Sequence, residues 1–113
     1  MSNYIIKLHD QATEKNYYLI WSSASAAPVT HGMHLEEFRN YYIQKYGDDS
    51  RMSLDLRLKR VNETGTSERG GKLSTLLENN RAGDDKVTSL TEQEIIKKYC
   101  NKDDAYFHMI NQL

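Results

Sequence analysis

The sequence predicts an α+β fold in which an N-terminal β-hairpin packs against three to four short helices. Alternating residues over 3–9 and a second run of aromatic and β-branched residues over 17–21 predict the two strands. Apolar residues three and four apart predict the helices that follow. Because only one proline and six glycines interrupt the 113 residues, we expect residues 1–113 to form a single domain.

The predicted hairpin consists of these two segments and a polar loop between them. The loop spans 10–16 and carries Asp10 and Asn16 at its ends, which is typical of a hairpin connection. An isolated hairpin is barely stable, so it must pack on helices or recruit a third strand. Residues 22–33 are predicted to be irregular, because three serines compete for backbone hydrogen bonds and Pro28 disfavours helix at Ala27.

Two helices are predicted in the middle of the chain. The first begins near Leu35 and ends at Gly47. The next segment, 48–63, is ambiguous, because its leucines alternate as in a strand but also share one helical face with Val61. A helix is favoured, because acidic residues precede basic ones along the segment and Gly65 follows it.

The second half of the chain alternates predicted loops and helices. A polar loop over 64–71 precedes a short helical pattern over 72–81, and residues 84–88 form another loop. Thr91 and Glu94 form a capping box, which predicts a helix from Glu92 to about Cys100. The tail over 103–113 fits a helix and a strand equally loosely.

Charge and hydropathy exclude several classes of protein. Fifteen basic and sixteen acidic residues give a formal charge of −1, so the whole molecule has no net attraction for nucleic acid or anionic lipid. No apolar stretch is long enough for a signal peptide or a membrane span. The single cysteine agrees with a reducing compartment. We therefore expect a cytoplasmic protein that does not bind a membrane.

The sequence contains no complete motif for catalysis, metal binding or cofactor binding. The glycines before Lys72 have the wrong spacing for a phosphate-binding loop, and Leu73 replaces the hydroxyl residue that such a loop needs. His31 and His34 lie in a predicted loop without a nearby second pair of ligands. Cys100, at a helix end, is expected to be a small packed thiol. These observations favour a non-catalytic binding protein without a metal or cofactor.

The middle third of the chain is locally basic. Seven of the fifteen basic residues lie between Arg51 and Arg81, and they outnumber the acidic residues there. Tyrosine and arginine often anchor protein interfaces, and Trp21 is the predicted anchor if it is exposed. The predicted partner-binding residues are Trp21, Arg57, Arg60, Arg69, Lys72 and Arg81.

Other interpretations of the basic segment remain open at this point. It is typical of a solvated surface, and it also fits a nucleic-acid-binding protein that uses a face from Arg51 to Arg81. A third interpretation is a nucleotide-binding sponge, because arginines and aromatic rings also bind nucleotides. The sequence does not determine whether copies of the chain form a homo-oligomer.

Several short segments resemble a pattern found in small proteins encoded by bacteriophages. They are Tyr18–Ser23, Ala27–Thr30, Gly32–Met33, Leu35–Arg39, Tyr41–Tyr42 and Lys45–Gly47, and the later segment Thr91–Cys100 is similar too. The resemblance implies a compact accessory protein of the bacterial cytoplasm that occludes a host protein, such as a defence protein. It brings no catalytic residues with it.

Overall fold

The centre of the fold is an antiparallel hairpin. The computed structural model describes residues 3–83 and 88–100. Strands β1 (Asn3–Asp10) and β2 (Lys15–Ser22) pair along their whole length. The Asp10 carboxylate closes the turn, because it accepts hydrogen bonds from the backbone N–H of Ala12 and from the Thr13 hydroxyl. The predicted hairpin is confirmed.

A short third strand completes the sheet. Strand β3 (Ala27–Pro28) pairs antiparallel with the end of β2. The prediction of an irregular segment over 22–33 was wrong at this point, because two residues pair through their backbone without any β-rich pattern. Proline is tolerated there because β3 is an edge strand. Further along, Met33 exchanges two backbone hydrogen bonds with Tyr18, of 2.7 and 2.9 Å.

The described residues contain four α-helices: α1 (Leu35–Tyr46), α2 (Arg51–Thr64), α3 (Leu73–Glu78) and α4 (Glu92–Tyr99). The ambiguous segment 48–63 is helical, with a 3-10 turn at Asp48–Ser50 leading into α2. Gly65 ends α2 in the left-handed region, at a φ of +84°. Helix α3 is shorter than predicted, because the Asn80 side chain donates to the carbonyl of Leu77 and replaces a further helical turn.

The helices cover both faces of the sheet and confirm the α+β fold. Helices α1 and α2 form one layer, the α1–α2 layer, and helices α3 and α4 form the α3–α4 layer. The sheet residues facing the α1–α2 layer are Ile5, Tyr18 and Ile20. Those facing the α3–α4 layer are Ile6, Leu8, Leu19 and Trp21. Because helices cover both sides, β1 carries apolar residues on both faces.

The outer edge of β1 forms hydrogen bonds with a loop segment and with helix side chains, and not with another strand. Every second backbone N–H from residue 5 to residue 11 points away from β2 and donates to the segment 65–67 or to a side chain of α4. The pairs are Ile5 to Ser67 Oγ (2.9 Å), Lys7 to Gly65 O (3.0 Å), His9 to Glu92 Oε2 (2.9 Å) and Gln11 to Gln93 Oε1 (3.1 Å). This edge of the sheet is therefore closed.

Two sequence predictions concern residues beyond this description. The tail over 103–113 and most of the predicted loop over 84–88 lie outside the described residues. Within the described ranges, no helix combines the length and the apolar character needed to cross a membrane.

Candidate functional site: the exposed surface of α2

Helix α2 exposes two large apolar side chains on the side that faces away from the sheet. Its buried side chains are Leu54, Leu58 and Val61. Met52 is 78% exposed and Leu56 is 58% exposed. At 100° per residue these two lie one turn apart and opposite the buried face. The fold does not use them, so they are available to contact another molecule.

A cleft of about 290 Å³ opens beside this face, where the end of α1, the start of α2 and the start of β1 meet. The ring centroids of Tyr42 and Tyr46 are 4.5 Å apart, and Tyr46 is 48% exposed. Arg57 Nη1 donates a hydrogen bond of 2.6 Å to the Tyr42 hydroxyl. Burial raises the pKa of Tyr42, and the charge of Arg57 opposes that shift. The hydroxyl therefore stays protonated and keeps its own hydrogen to donate.

Arg60 lies one turn from Arg57 and has a different partner. Its Nη1 donates to the carbonyl of Ser67 at 2.9 Å, and the backbone N–H of Ser67 donates to the carbonyl of Ile5 at 2.9 Å. Arg60 thus supports the segment that covers the edge of β1. Of the predicted partner-binding residues, Arg57 and Arg60 share one flank of α2, and each also makes a contact within the fold.

Two more of the predicted residues lie in a turn after α2. Arg69 and Lys72 are exposed and flank Gly70, whose φ of +72° places it in the left-handed region. The backbone of Arg81 instead donates to the carbonyl of Ala26 at 2.8 Å. Ala26 packs against the α3–α4 layer. The structure therefore anchors Arg81 on the opposite side of the sheet from Arg57.

Trp21 is a core residue. Its side chain is 1% exposed and packs with residues of the α3–α4 layer. The condition for its predicted role was exposure, so the prediction of Trp21 as a partner-binding anchor was wrong. The physical reason is that helices cover both faces of the sheet, and those of the α3–α4 layer bury the indole ring.

Cys100 and His34 both pack within the fold. Cys100 is buried, so the prediction of a small packed thiol is confirmed, and burial raises the pKa of the thiol to about 12. The ring of His34 stacks on Tyr17 at 4.8 Å and shares a contact of 3.2 Å with the carbonyl of Asn16. Across the described ranges, no group of three or more His, Cys, Asp or Glu side chains is placed to hold a metal ion.

The sequence predictions missed the apolar pair on α2 and most of the cleft. The spacing of Met52 and Leu56 is a usable signal, because both fall opposite Leu54 and Leu58 once 48–63 is treated as a helix. Tyr4 and Tyr46 carry no such signal, since they reach the cleft from different elements of the fold.

Comparison with known proteins finds no relative of this chain. No family model matches it, and neither a curated protein nor a solved structure is significantly similar.

Proposed function

We propose that this protein is a non-catalytic binding protein that occludes a partner protein, with Met52 and Leu56 at the centre of the contact. The observation that carries the proposal is the exposure of these two side chains on one turn of α2. Methionine and arginine are enriched in protein interfaces, and Arg57 and Arg60 lie on the adjoining flank of the same helix.

The side chains of this surface are more typical of a protein interface than of a surface that contacts only water. Single exposed apolar residues are common, but Met52 and Leu56 lie one turn apart and form a small apolar patch that the fold leaves exposed. An apolar patch beside two arginines is typical of an interface core with a charged rim. The resemblance to phage-encoded proteins supports a host protein of the bacterial cytoplasm, such as a defence protein, as the partner.

The proposal is tested by capture from bacterial lysate with the immobilised protein and two variants. The first is Met52→Gln/Leu56→Gln, which keeps helix propensity and side-chain length while removing the apolar surface. The matched control is Val29→Thr, at an exposed apolar position far from α2 in sequence. We expect the wild type and the control to retain the same host protein and the double variant to lose it. Equal capture by all three proteins, or capture by none, would overturn the proposal.

Nucleic-acid binding is the second candidate, and the turn after α2 favours it. Arg69 and Lys72 are exposed, and neither forms an ion pair with a described residue. If they bind phosphates, affinity for a single-stranded oligonucleotide should fall steeply with salt, because each contact releases a counterion. Arg69→Gln/Lys72→Gln should then reduce that salt dependence. Salt-insensitive affinity, or no binding at low salt, would remove this candidate.

A further inference from the structure

We propose that the cleft beside α2 binds a small aromatic anion, namely a molecule with one planar aromatic ring system, one acidic group and at least one N–H donor. This goes beyond partner occlusion, because it concerns a concave site on the flank of α2 and not the outward Met52 and Leu56. The volume of about 290 Å³ is at the lower end for ligand pockets. It suits one ring and one charged group and is too small for a dinucleotide.

The acidic group is recognised by Arg57. This residue forms no ion pair with a described residue. The hydrogen bond from its Nη1 to Tyr42 fixes the guanidinium against the cleft wall. A guanidinium carries five N–H donors in a rigid fork, so donors remain for a carboxylate or a phosphate. Tyr42 and Tyr4 both line the cleft. The Tyr42 hydroxyl accepts from Arg57, so its own hydrogen can be donated to a ligand.

The ring is recognised by Tyr46. Tyr46 lines the cleft and is about half exposed, which leaves ring surface for offset stacking. Lys45 Nζ lies 5.8 Å from the centroid of the Tyr46 ring. Lys45 does not line the cleft, and Arg57 is the charged side chain among the described lining residues, so the lining favours an anion over a neutral ligand.

The N–H donor is recognised by two serines on the third side. The Ser50 hydroxyl donates to the carbonyl of Gly47 at 2.6 Å, and the Ser53 hydroxyl donates to the carbonyl of Ser50 at 2.9 Å. Both hydroxyl hydrogens are therefore used within the fold, and the lone pairs are the capacity left for a ligand. The site thus combines donors near Arg57 with acceptors near the start of α2.

Nucleoside monophosphates and amino-substituted aromatic carboxylates share this chemistry. Isothermal titration calorimetry with adenosine 5′-monophosphate and with 4-aminobenzoate distinguishes the two sources. Adenosine and inorganic phosphate, each lacking one half of the ligand, serve as partial probes. We expect saturable binding of at least one complete probe and much weaker binding of the partial ones.

Three variants test the residues. Arg57→Gln should lower affinity at least about tenfold, because charge-assisted hydrogen bonds are lost, and Tyr46→Leu should lower it by a similar factor through lost stacking. Arg39→Gln removes the same charge from α1, outside the cleft lining, and should leave affinity unchanged. Thermal unfolding of each variant shows whether it is folded. No saturable binding of either complete probe by the wild type, or equal losses in Arg57→Gln and Arg39→Gln, would overturn the proposal.

Discussion

The two helical layers differ in how their polar groups are used. In the α3–α4 layer, the capping box of α4 is complete, since the Thr91 hydroxyl accepts from the N–H of Glu94 and the Glu94 carboxylate accepts from the N–H of Thr91. In the α1–α2 layer, no side chain caps the start of either helix. That layer instead exposes Met52, Leu56 and Tyr46. Both layers have a buried apolar cluster, and α3 also begins without a side-chain cap, so the layers differ in the complete capping box of α4 and in the exposed apolar side chains of α1 and α2.

Of the variants that test this difference between the layers, Trp21→Ala is expected to cause the largest loss in the free energy of unfolding. Removing a fully buried indole leaves a cavity and should lower the free energy of unfolding by about 3–5 kcal/mol. Tyr46→Ala, in the other layer, should lower it by less than about 1 kcal/mol, because the ring is half exposed. Urea denaturation measures both. Similar losses for the two variants would break the distinction between the layers.

Asn80→Ala should produce the next largest loss. The Asn80 amide donates to the carbonyls of Leu77 and Leu90, both at 2.7 Å, and its oxygen accepts from the N–H of Leu90 at 2.9 Å and of Ala82 at 3.2 Å. Its removal leaves several backbone groups unpaired, so we expect a loss of about 2–4 kcal/mol by urea denaturation. Asn79→Ala, at the exposed neighbouring position, is the control, and an equal loss there would contradict the role of the amide.

Thr91→Ala should destabilise the protein by about 1 kcal/mol, because an N-cap side chain satisfies a backbone N–H that otherwise has no partner in the helix. Circular dichroism during thermal unfolding measures the change. Thr75→Ala on α3 is a matched substitution at an exposed helical position that does not cap, and it should be neutral or slightly stabilising. A neutral Thr91→Ala would show that α4 is held by apolar contacts alone.

The smallest expected effect is a pH dependence from Glu94. Hydrogen bonds from the backbone and side chain of Thr91 lower the pKa of this carboxyl. Its contribution is therefore complete above the unfolded pKa of about 4.3 and is lost as pH falls through the lower folded value. Unfolding measured between about pH 6 and 3 should show a shallower acid loss in Glu94→Gln than in the wild type. Identical slopes of stability against pH in the two proteins would show that Glu94 does not contribute to the loss of stability in acid.

The parts of the fold that the sequence predicts are those determined by local signals. The capping box and the glycine after α2 are read from a few neighbouring residues, and both mark helix ends in the structure. The cover of β1 by residues 65–67 joins segments that are far apart in the sequence. The pairing of β3 with β2 is local, but it rests on backbone hydrogen bonds, which leave no pattern in side chains.

The candidate site was predicted only in part, for the same reason. Arg57 was identified from charge and helical spacing. Its partner Tyr42 and the neighbouring Tyr46 come from another helix, and no spacing rule joins the two helices. Trp21 was misplaced because a tryptophan on a strand is consistent with core and with surface until the helices on both faces are known.

The closed edge of β1 indicates how this protein is expected to aggregate. The N–H groups of His9 and Gln11 are held by side chains of α4, at Glu92 and Gln93. If α4 detaches, those donors become a free template onto which another chain can add a strand. We therefore expect aggregation to begin with local opening of α4 and not with global unfolding, and amide hydrogen exchange at His9 to follow the opening of that helix. By accepting these hydrogen bonds, the side chains of Glu92 and Gln93 are expected to prevent strand exchange between molecules, in addition to forming part of α4.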